Sequence, residues 1–253
     1  MFDGDYWVFV SIGIIALAAG FVHSAIGFGF GIVAVTLLPL FVEVRQAHVV
    51  ISTASFPVLM MAAWAYRDGA DWSALWRALV GAAVFMPLGL LAFKWVSPDW
   101  LIRGTGIAIL AMVVVNFHNR RKTLSDRESK SKSGSSFLAG ALGGFLAGAV
   151  TIAGPPVAAY ALSQPWDQNR FKAFLNQFLL AVSFYKVAGL VALGLINQET
   201  LTQSAALAPM AIIGIQLGAV VSRRLSTKRF QYLVAFALVA VAVYYVATGA
   251  GDN

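Results

Sequence analysis

Long apolar stretches separated by short polar turns make up most of the chain, and this pattern predicts membrane-spanning helices. The predicted segments lie at residues 6–26, 28–42, 47–66, 72–93, 101–117, 137–150, 154–163, 173–196, 203–222 and 230–248. A full crossing of the bilayer takes about 20 predominantly apolar residues. Because residues 28–42, 137–150 and 154–163 are shorter than that, we predict half-helices or re-entrant hairpins there.

The stretch at residues 137–163 begins as a membrane helix and is then interrupted. Gly154, Pro155 and Pro156 lie inside it, and the prolines remove backbone donors and block continuous helical geometry. An unpaired backbone group in hydrocarbon costs several kcal/mol, so a break is tolerated only beside protein or a water-filled cavity. The interruption therefore predicts a binding site near residues 151–156.

A second interrupted stretch, residues 20–39, carries Gly27, Gly29 and Gly31. These glycines predict another break or, alternatively, a small-residue face for helix packing. Interrupted segments at corresponding places in two halves are typical of the binding site of a secondary transporter. We therefore interpret the two stretches as parts of one central site.

The two halves of the chain resemble each other. Residues 89–115 align without gaps on residues 218–244, which matches Gly89 with Gly218 and Ser97 with Ser226. Upstream, Gly20 and the residues that follow it align with Gly144 and its followers, at a slightly different spacing. This pattern indicates a duplicated architecture.

The predicted fold is an all-α polytopic membrane protein made of two inverted repeats. Each repeat contains a broken or re-entrant helix pair plus three spans, which gives about eight to ten membrane segments. If each broken stretch crosses and returns, each repeat has an odd number of crossings, and the repeats lie upside down to one another. The first repeat covers residues 1–118, a polar linker covers 119–136, and the second repeat covers 137–253.

Composition agrees with a membrane protein. The chain is 59% hydrophobic and 11% charged, with a mean hydropathy of +0.77, which leaves little material for a soluble domain. The net charge of +7 comes from Lys and Arg between the spans. Such residues set the orientation of a protein in the membrane, so the charge does not indicate a nucleic-acid partner. The amino terminus lacks the features of a secretory signal, so we expect the first span to be retained.

Basic loops stay on the cytoplasmic side of a membrane. The inverted-repeat interpretation gathers most basic residues on that side: Arg67, Arg120, Arg121, Lys122, Arg127, Lys130, Lys132, Arg170, Lys172, Arg223, Arg224, Lys228 and Arg229. The opposite side keeps Arg45, Lys94 and Arg103, and both termini are predicted there. If each broken stretch instead crossed once, the linker and residues 223–229 would fall on opposite sides, against the charge rule.

Enzyme chemistry has little support in the sequence. There is no cysteine, which excludes disulfides and thiolate catalysis. There is also no HExxH motif, and all eleven Asp and Glu lie outside the predicted span interiors, so neither a metal site nor a Ser, His and Asp set can be assembled there. We predict no enzyme activity, no cofactor and no metal.

The ionisable groups inside the spans are cationic or neutral. Lys186 lies near the middle of a span, and His23 precedes the first break. Intramembrane charges are expensive and usually functional, so the cargo is predicted to be a small anion. The predicted substrate-binding residues are Lys186, Thr151, Gly154, Pro155, His23, Ser24, Gly27, Gly29, Asn176 and Gln177. In this set, half-helix amino termini supply backbone N–H groups and the neutral side chains supply hydrogen bonds.

Each candidate also has a structural interpretation. Lys186 could extend to the interface or pair with a helix carboxyl end, and Arg77 is expected to reach the cytoplasmic face. His23 is either a packing residue or a site group that could carry protons. Two similarly placed pairs, Glu43 with Arg45 and Asp167 with Arg170, are expected to cap helices or form interfacial ion pairs.

Four sequence features together resemble the TauE/SafE family of sulfite and organosulfonate exporters, also called the 4-toluene sulfonate uptake permease family. They are GFGFG at 27–31 with Pro39 downstream, EVRQA at 43–47, TIAGPP at 151–156, and the turn GxxxxRRLS at 218–226. The resemblance covers nearly the whole chain and implies a bacterial inner-membrane carrier for sulfur-containing or other small organic anions.

The chain departs from the usual family pattern at both breaks. Phe28 and Phe30 separate glycines that are usually adjacent, and prolines replace glycine at 155 and 156. These changes leave room for a bulkier or more apolar substrate.

The predicted function is therefore secondary transport of a small organic or inorganic anion across the inner membrane by alternating access, and most specifically of sulfite, a sulfonate or another sulfur-containing anion. An anion channel and a non-transporting membrane scaffold stay open as alternatives. The expected partners are the anion and the lipid bilayer, with no nucleic acid. The sequence leaves open a homo-oligomer, the direction of transport, and whether coupling uses the anion gradient or protons carried by His23.

Overall fold

The computed structural model describes residues 6–42, 44–95, 133–192 and 196–248, together with residue 194 and single positions between 100 and 114. Within these ranges the fold is all helical. Nine α-helices are described: α1 (Tyr6–Ile26), α2 (Phe30–Leu37), α3 (Val44–Ala65), α4 (Trp72–Trp95), α5 (Ser133–Val150), α6 (Gly154–Ser163), α7 (Gln168–Ala192), α8 (Gln198–Arg223) and α9 (Thr227–Thr248). Short 3₁₀ turns follow α2 at Leu38–Leu40 and α3 at Arg67–Gly69.

The long helices have the length and composition of membrane spans. Five of those described can cross a bilayer on these criteria, at Gln46–Ala65, Trp72–Ala92, Gln168–Ala192, Thr200–Arg223 and Thr227–Ala247. Large apolar side chains such as Trp64, Trp72 and Phe236 are exposed on their outer surfaces, as expected for a protein whose solvent is lipid. The predicted segment at 101–117 and most of the predicted linker lie outside the residues described at length.

The first break separates α1 from α2. The backbone of Gly27 has a φ of 91° and that of Gly29 a φ of 110°, conformations that glycine adopts without steric cost. Gly29 is the residue that precedes the first turn of α2. Phe28, between the two glycines, is fully buried. Gly31 was predicted to take part in the break, but it lies inside α2.

The second break separates α5 from α6 and lies between the predicted segments at 137–150 and 154–163. It comprises Thr151, Ile152 and Ala153, whereas Gly154 and the two prolines form the first turn of α6. Proline suits a first helical turn because its fixed φ is helical and its missing N–H has no partner there anyway. The prolines therefore begin the second helix and do not interrupt one.

The two halves repeat their element boundaries at a constant shift of 124 residues through the start of the third helix. α1 ends at Ile26 and α5 at Val150; α2 begins at Phe30 and α6 at Gly154; α3 begins at Val44 and α7 at Gln168. The positive φ values of Gly27 and Thr151 follow the same shift.

The helices α3 and α7 lie side by side in opposite directions. Phe56 contacts Phe184, with ring centroids 6.3 Å apart, while the later α3 end brings Tyr66 to within 5.5 Å of the Nζ of the earlier α7 residue Lys172. This antiparallel pair lies beside both breaks.

Glycines bring one helix of each half into close contact with a helix of the other half. A Cβ built on Gly218 of α8 would lie 2.3 Å from the carbonyl oxygen of Phe21 in α1, and one on Gly89 of α4 would lie 2.0 Å from that of Phe145 in α5. These two contacts match the sequence alignment of Gly89 with Gly218 and of the residues after Gly20 and Gly144. The pairs α1–α8 and α4–α5 thus pack through equivalent surfaces.

We predict that Gly89→Ala and Gly218→Ala each lower the free energy of unfolding by about 1–3 kcal/mol, because the added methyl overlaps the backbone of the partner helix. The matched control is Gly189→Ala in α7, where a Cβ would meet nothing within 4 Å. That change should be neutral or stabilising, by up to about 1 kcal/mol, through helix propensity alone. Thermal unfolding in detergent checks this, and equal losses in all three variants would contradict the packing argument.

Candidate functional site

A cavity of about 80 Å³ lies where the two breaks meet. Its walls come from α1, both breaks, α2, α3, α5, α6 and α7, so both halves contribute. The polar side chains that line it are His23, Ser52, Ser55, Thr151, Ser183 and Lys186. The remaining wall is apolar and includes Phe28, Ile51, Leu59 and Leu179. The space suits several water molecules or one small ion.

A three-residue network joins α3, α7 and the second break at this cavity. Lys186 Nζ donates a hydrogen bond to Thr151 Oγ1 at 2.6 Å. The same oxygen lies 2.7 Å from His48 Nδ1, and the tautomer of His48 decides which atom donates. Thr151 is held at a φ of 63°, a strained conformation for a β-branched residue, and such strain is concentrated at functional sites.

His23 of α1 also lines the cavity. It is 2% exposed, and its Nε2 lies 2.9 Å from Asn176 Oδ1. The Asn176 amide in turn donates to the backbone carbonyl of Lys172 at 2.8 Å. His23 is thus a hydrogen-bonded packing residue that also lines the cavity, and its role as a site group stays a prediction.

Six of the ten predicted site residues line the cavity: His23, Gly29, Thr151, Gly154, Pro155 and Lys186. The other four do not. Asn176 orients His23 from behind, and Gly27 packs against Phe171 and Lys172. The Ser24 carbonyl accepts a hydrogen bond from Lys172, and Gln177 donates to the Arg67 carbonyl at 3.2 Å, at the end of α3.

The two half-helices offer the cavity unequal numbers of backbone donors. In α2, Val33 is the first residue whose N–H bonds back to Gly29, so the N–H groups of Phe30, Gly31 and Ile32 belong to the unpaired first turn. In α6, two of the equivalent positions are proline, which has no N–H. The expectation of free donors at both breaks therefore applies mainly to α2.

Two functional candidates were missed in the sequence. His48 lies at the edge of its predicted span and received no role. Lys172 was assigned to a cytoplasmic loop, but it lies inside α7 and is 1% exposed. The helix begins earlier than predicted because the Asp167 carboxylate accepts from the Arg170 backbone N–H at 2.8 Å and caps it. Two sequence features could have identified these residues. They are the capping residue Asp167, which indicates the earlier helix start, and the 124-residue shift, which pairs His48 with Lys172.

The interfacial charges behave largely as predicted. Asp167 caps α7, while Arg170 forms its ion pair with Asp71 at 2.8 Å and not with Asp167. Burial raises the pKa of the Asp71 carboxyl. The hydrogen bond from the Ala74 N–H and the Arg170 guanidinium together lower this pKa by more than burial raises it, so the pKa is below its usual value. Arg77 is exposed on α4. Glu43 and the side chain of Arg45 lie outside the described residues.

A comparison with known families identifies the chain. The family model described as "Sulfite exporter TauE/SafE" matches residues 12–245, nearly the whole chain. No curated protein and no solved structure gives a significant match. The chain belongs to the TauE/SafE family, which consists of membrane transporters and not enzymes. The resemblance inferred from the sequence is thereby confirmed, and the protein is a multi-pass membrane protein.

We predict that Thr151→Val lowers the free energy of unfolding by about 1.5–3 kcal/mol, because Lys186 loses its hydrogen-bond acceptor while the side-chain shape is kept. The matched variant Thr151→Ser retains the hydroxyl and removes the β-branch, so it should stay within about 1 kcal/mol of the native protein. Thermal unfolding in detergent measures both. Equal stability of the two variants would show that the hydroxyl is not a significant partner of Lys186.

Proposed function

We propose that this protein is a secondary transporter that holds a small anion in the cavity between the two breaks. The observation that carries the proposal is the Lys186 ammonium group beside a cavity to which no Asp or Glu contributes, as far as the described lining residues go. Thr151 is a neutral partner and does not balance the charge.

The energetics favour an anion at this position. A cation held in a low-dielectric site is costly unless a negative group accompanies it. An oxyanion in the cavity would accept a charge-assisted hydrogen bond from Lys186, which is stronger than the bond to a neutral hydroxyl. The unpaired first turn of α2, at the positive end of its helix dipole, would add further donors.

The family and the cavity size together support a small sulfur oxyanion. Family membership indicates transport of sulfite-like anions, and about 80 Å³ accommodates only a compact solute. The apolar wall formed by Phe28, Leu59 and Leu179 would tolerate a short alkyl group. We therefore propose sulfite or a small sulfonate as the substrate.

Alternating access between inverted repeats is the proposed mode of transport. The constant 124-residue shift of element boundaries supports a duplicated architecture. The equivalent glycine contacts of α1 with α8 and of α4 with α5, and the antiparallel arrangement of α3 and α7, support an inverted relation between the halves. Rocking of one half against the other would expose the central cavity to each side in turn.

The proposed orientation puts both termini in the periplasm and the linker in the cytoplasm. Three basic residues near helix ends support a common cytoplasmic side: Arg67 after α3, Arg170 in the first turn of α7 and Arg223 at the end of α8. Contacts join these ends, since Arg170 pairs with Asp71 and Gln168 donates to the Ser222 carbonyl at 3.0 Å. Basic residues on one side satisfy the positive-inside rule.

We expect sulfite to raise the unfolding temperature of the purified protein, since ligand at about 100 times its dissociation constant stabilises the folded state by about 2.7 kcal/mol. Lys186→Gln keeps a donor for Thr151 but removes the charge, so it should lose this effect. Arg77→Gln, which removes an exposed cation, should keep it. The panel would include sulfate, taurine, small carboxylates and neutral solutes. Stabilisation by cations or neutral solutes alone would refute the anion site.

We further expect counterflow. Proteoliposomes preloaded with unlabelled sulfite should take up labelled sulfite faster than empty ones, because a carrier with unlabelled sulfite bound returns to the outward-facing state faster than an empty carrier. Uptake should also saturate with sulfite concentration. A channel would give little saturation and no stimulation from the opposite side. An uptake rate that rises linearly with sulfite concentration and does not depend on preloaded sulfite would contradict alternating access.

A further inference from the structure

The helix α7 carries a second buried cation on the same face as Lys186. Lys172 precedes Lys186 by 14 positions, which is nearly four helical turns and about 21 Å along the axis. Asn176, Leu179 and Ser183 lie between them on this face. Leu179 and Ser183 line the cavity, and Asn176 holds the cavity residue His23. Lys172 therefore lies about two turns before Leu179, the nearest α7 residue that lines the cavity.

The groups in direct contact with the Lys172 ammonium are neutral. Its Nζ donates to the Ser24 carbonyl at 2.6 Å and to Ser222 Oγ. The faces of Tyr66 and Phe230 lie 5.5 and 5.4 Å away. No carboxylate is among its contacts in the described part of the chain, and Arg223 adds a second positive charge nearby.

Lys172 is not an interfacial lysine that extends into water. Arg170 lies two residues before Lys172 in α7, and its side chain is 49% exposed. Lys172, in contrast, is 1% exposed and turned inward. Its ammonium group joins the last turns of α1 and α8, since Ser24 and Ser222 both lie near the carboxyl ends of their helices. A cation there is favourable to both helix dipoles.

We propose that Lys172 is a second anion-binding position and the closing contact of the path between the cavity and the end of the protein that carries Arg170 and Arg223. An anion leaving the cavity passes the His23–Asn176 pair and takes the place of the Ser24 and Ser222 oxygens on Lys172. The replacement is favourable because the hydrogen bond of an ammonium group to an anion is stronger than its bond to a neutral acceptor. The arriving anion thus breaks the link that Lys172 makes between the last turns of α1 and α8, and it opens the end it leaves by. This inference rests on the proposed anion transport and assigns one end of its path.

The repeat supplies an independent indication. The residue 124 positions before Lys172 is His48, which contacts Thr151, and Thr151 itself is 124 positions after Gly27. Lys172 packs against Gly27. Equivalent residues therefore meet equivalent break positions in the two halves, as expected if His48 and Lys172 serve opposite ends of one path.

The chain contains no cysteine, so Lys172→Cys allows a specific test by alkylation. Bromoethylamine returns an ammonium group at nearly the lysine length, and iodoacetamide attaches a neutral group. We expect Lys172→Cys to slow labelled sulfite counterflow about tenfold or more, which corresponds to about 1.4 kcal/mol in the barrier. Sulfite-dependent thermal stabilisation should persist with an affinity within about twofold. Aminoethylation should restore the rate, and the neutral group should not.

The result that overturns the inference is counterflow at the native rate in Lys172→Cys, or equal recovery with both reagents. A loss of sulfite binding that parallels the loss of rate would also overturn it, since a purely structural lysine would affect both. If the cysteine variant does not fold, Lys172→Gln keeps a donor for Ser24 and Ser222 and gives the same rate and binding comparison.

A second readout does not depend on sulfite. The cysteine introduced by Lys172→Cys should react with bromoethylamine in the folded protein, as shown by mass spectrometry, because this end opens during the transport cycle. A thiol that reacts only after denaturation would refute an opening at this position. The companion variant Lys186→Gln separates the two proposals: if it still binds sulfite, the cavity site is wrong, whereas the reactivity of the introduced thiol continues to test the path.

Discussion

The structure depends on the requirement that backbone groups at two helix breaks be satisfied inside a membrane. The breaks meet this requirement by packing against each other. A Cβ on Gly154 would lie 3.0 Å from Phe28 Cβ, and one on Gly31 would lie 3.1 Å from the Thr151 carbonyl oxygen. Protein covers the apolar side of each break, and the cavity receives the donors that remain. The cavity between the two breaks, with its few polar side chains, follows from this contact.

The same requirement explains why the ionisable groups of the interior contact neutral groups. Lys186 is bound to a hydroxyl, and Lys172 to a carbonyl, a hydroxyl and two aromatic faces. A carboxylate beside either lysine would neutralise it and remove its attraction for an anion. Neutral acceptors solvate an ammonium group and release it to a stronger acceptor, as the proposed anion transport would require at both lysines.

Much of the fold could be predicted because hydrophobic length and glycine or proline position are local signals. The bounds of α1 and the division of α5 from α6 at residues 150 and 154 follow from them. The role of the prolines in the first turn of α6 and the start of α7 could not be found that way, since proline can end a segment or begin one and the Asp167 cap competes with the hydrophobic pattern. For this reason Lys172 was predicted to lie in a loop and not inside a helix. The contacts of His48 and of Asn176 join residues more than 100 positions apart, and single-sequence patterns do not encode such contacts.

The repeat also explains why the cavity is chemically one-sided although its backbone is nearly symmetric. Lys186 and His23 have alanines, Ala62 and Ala147, at the positions related by the 124-residue shift. Thr151 likewise corresponds to Gly27, so the side chain that bonds Lys186 exists in one half only. Under the proposed alternating access, the shared element boundaries let the two halves take equivalent positions around the cavity. The single cation of the cavity, Lys186, would give the anion one site on α7 while the halves move. The proposal thus assigns movement to the symmetric backbone and binding to the asymmetric side chains.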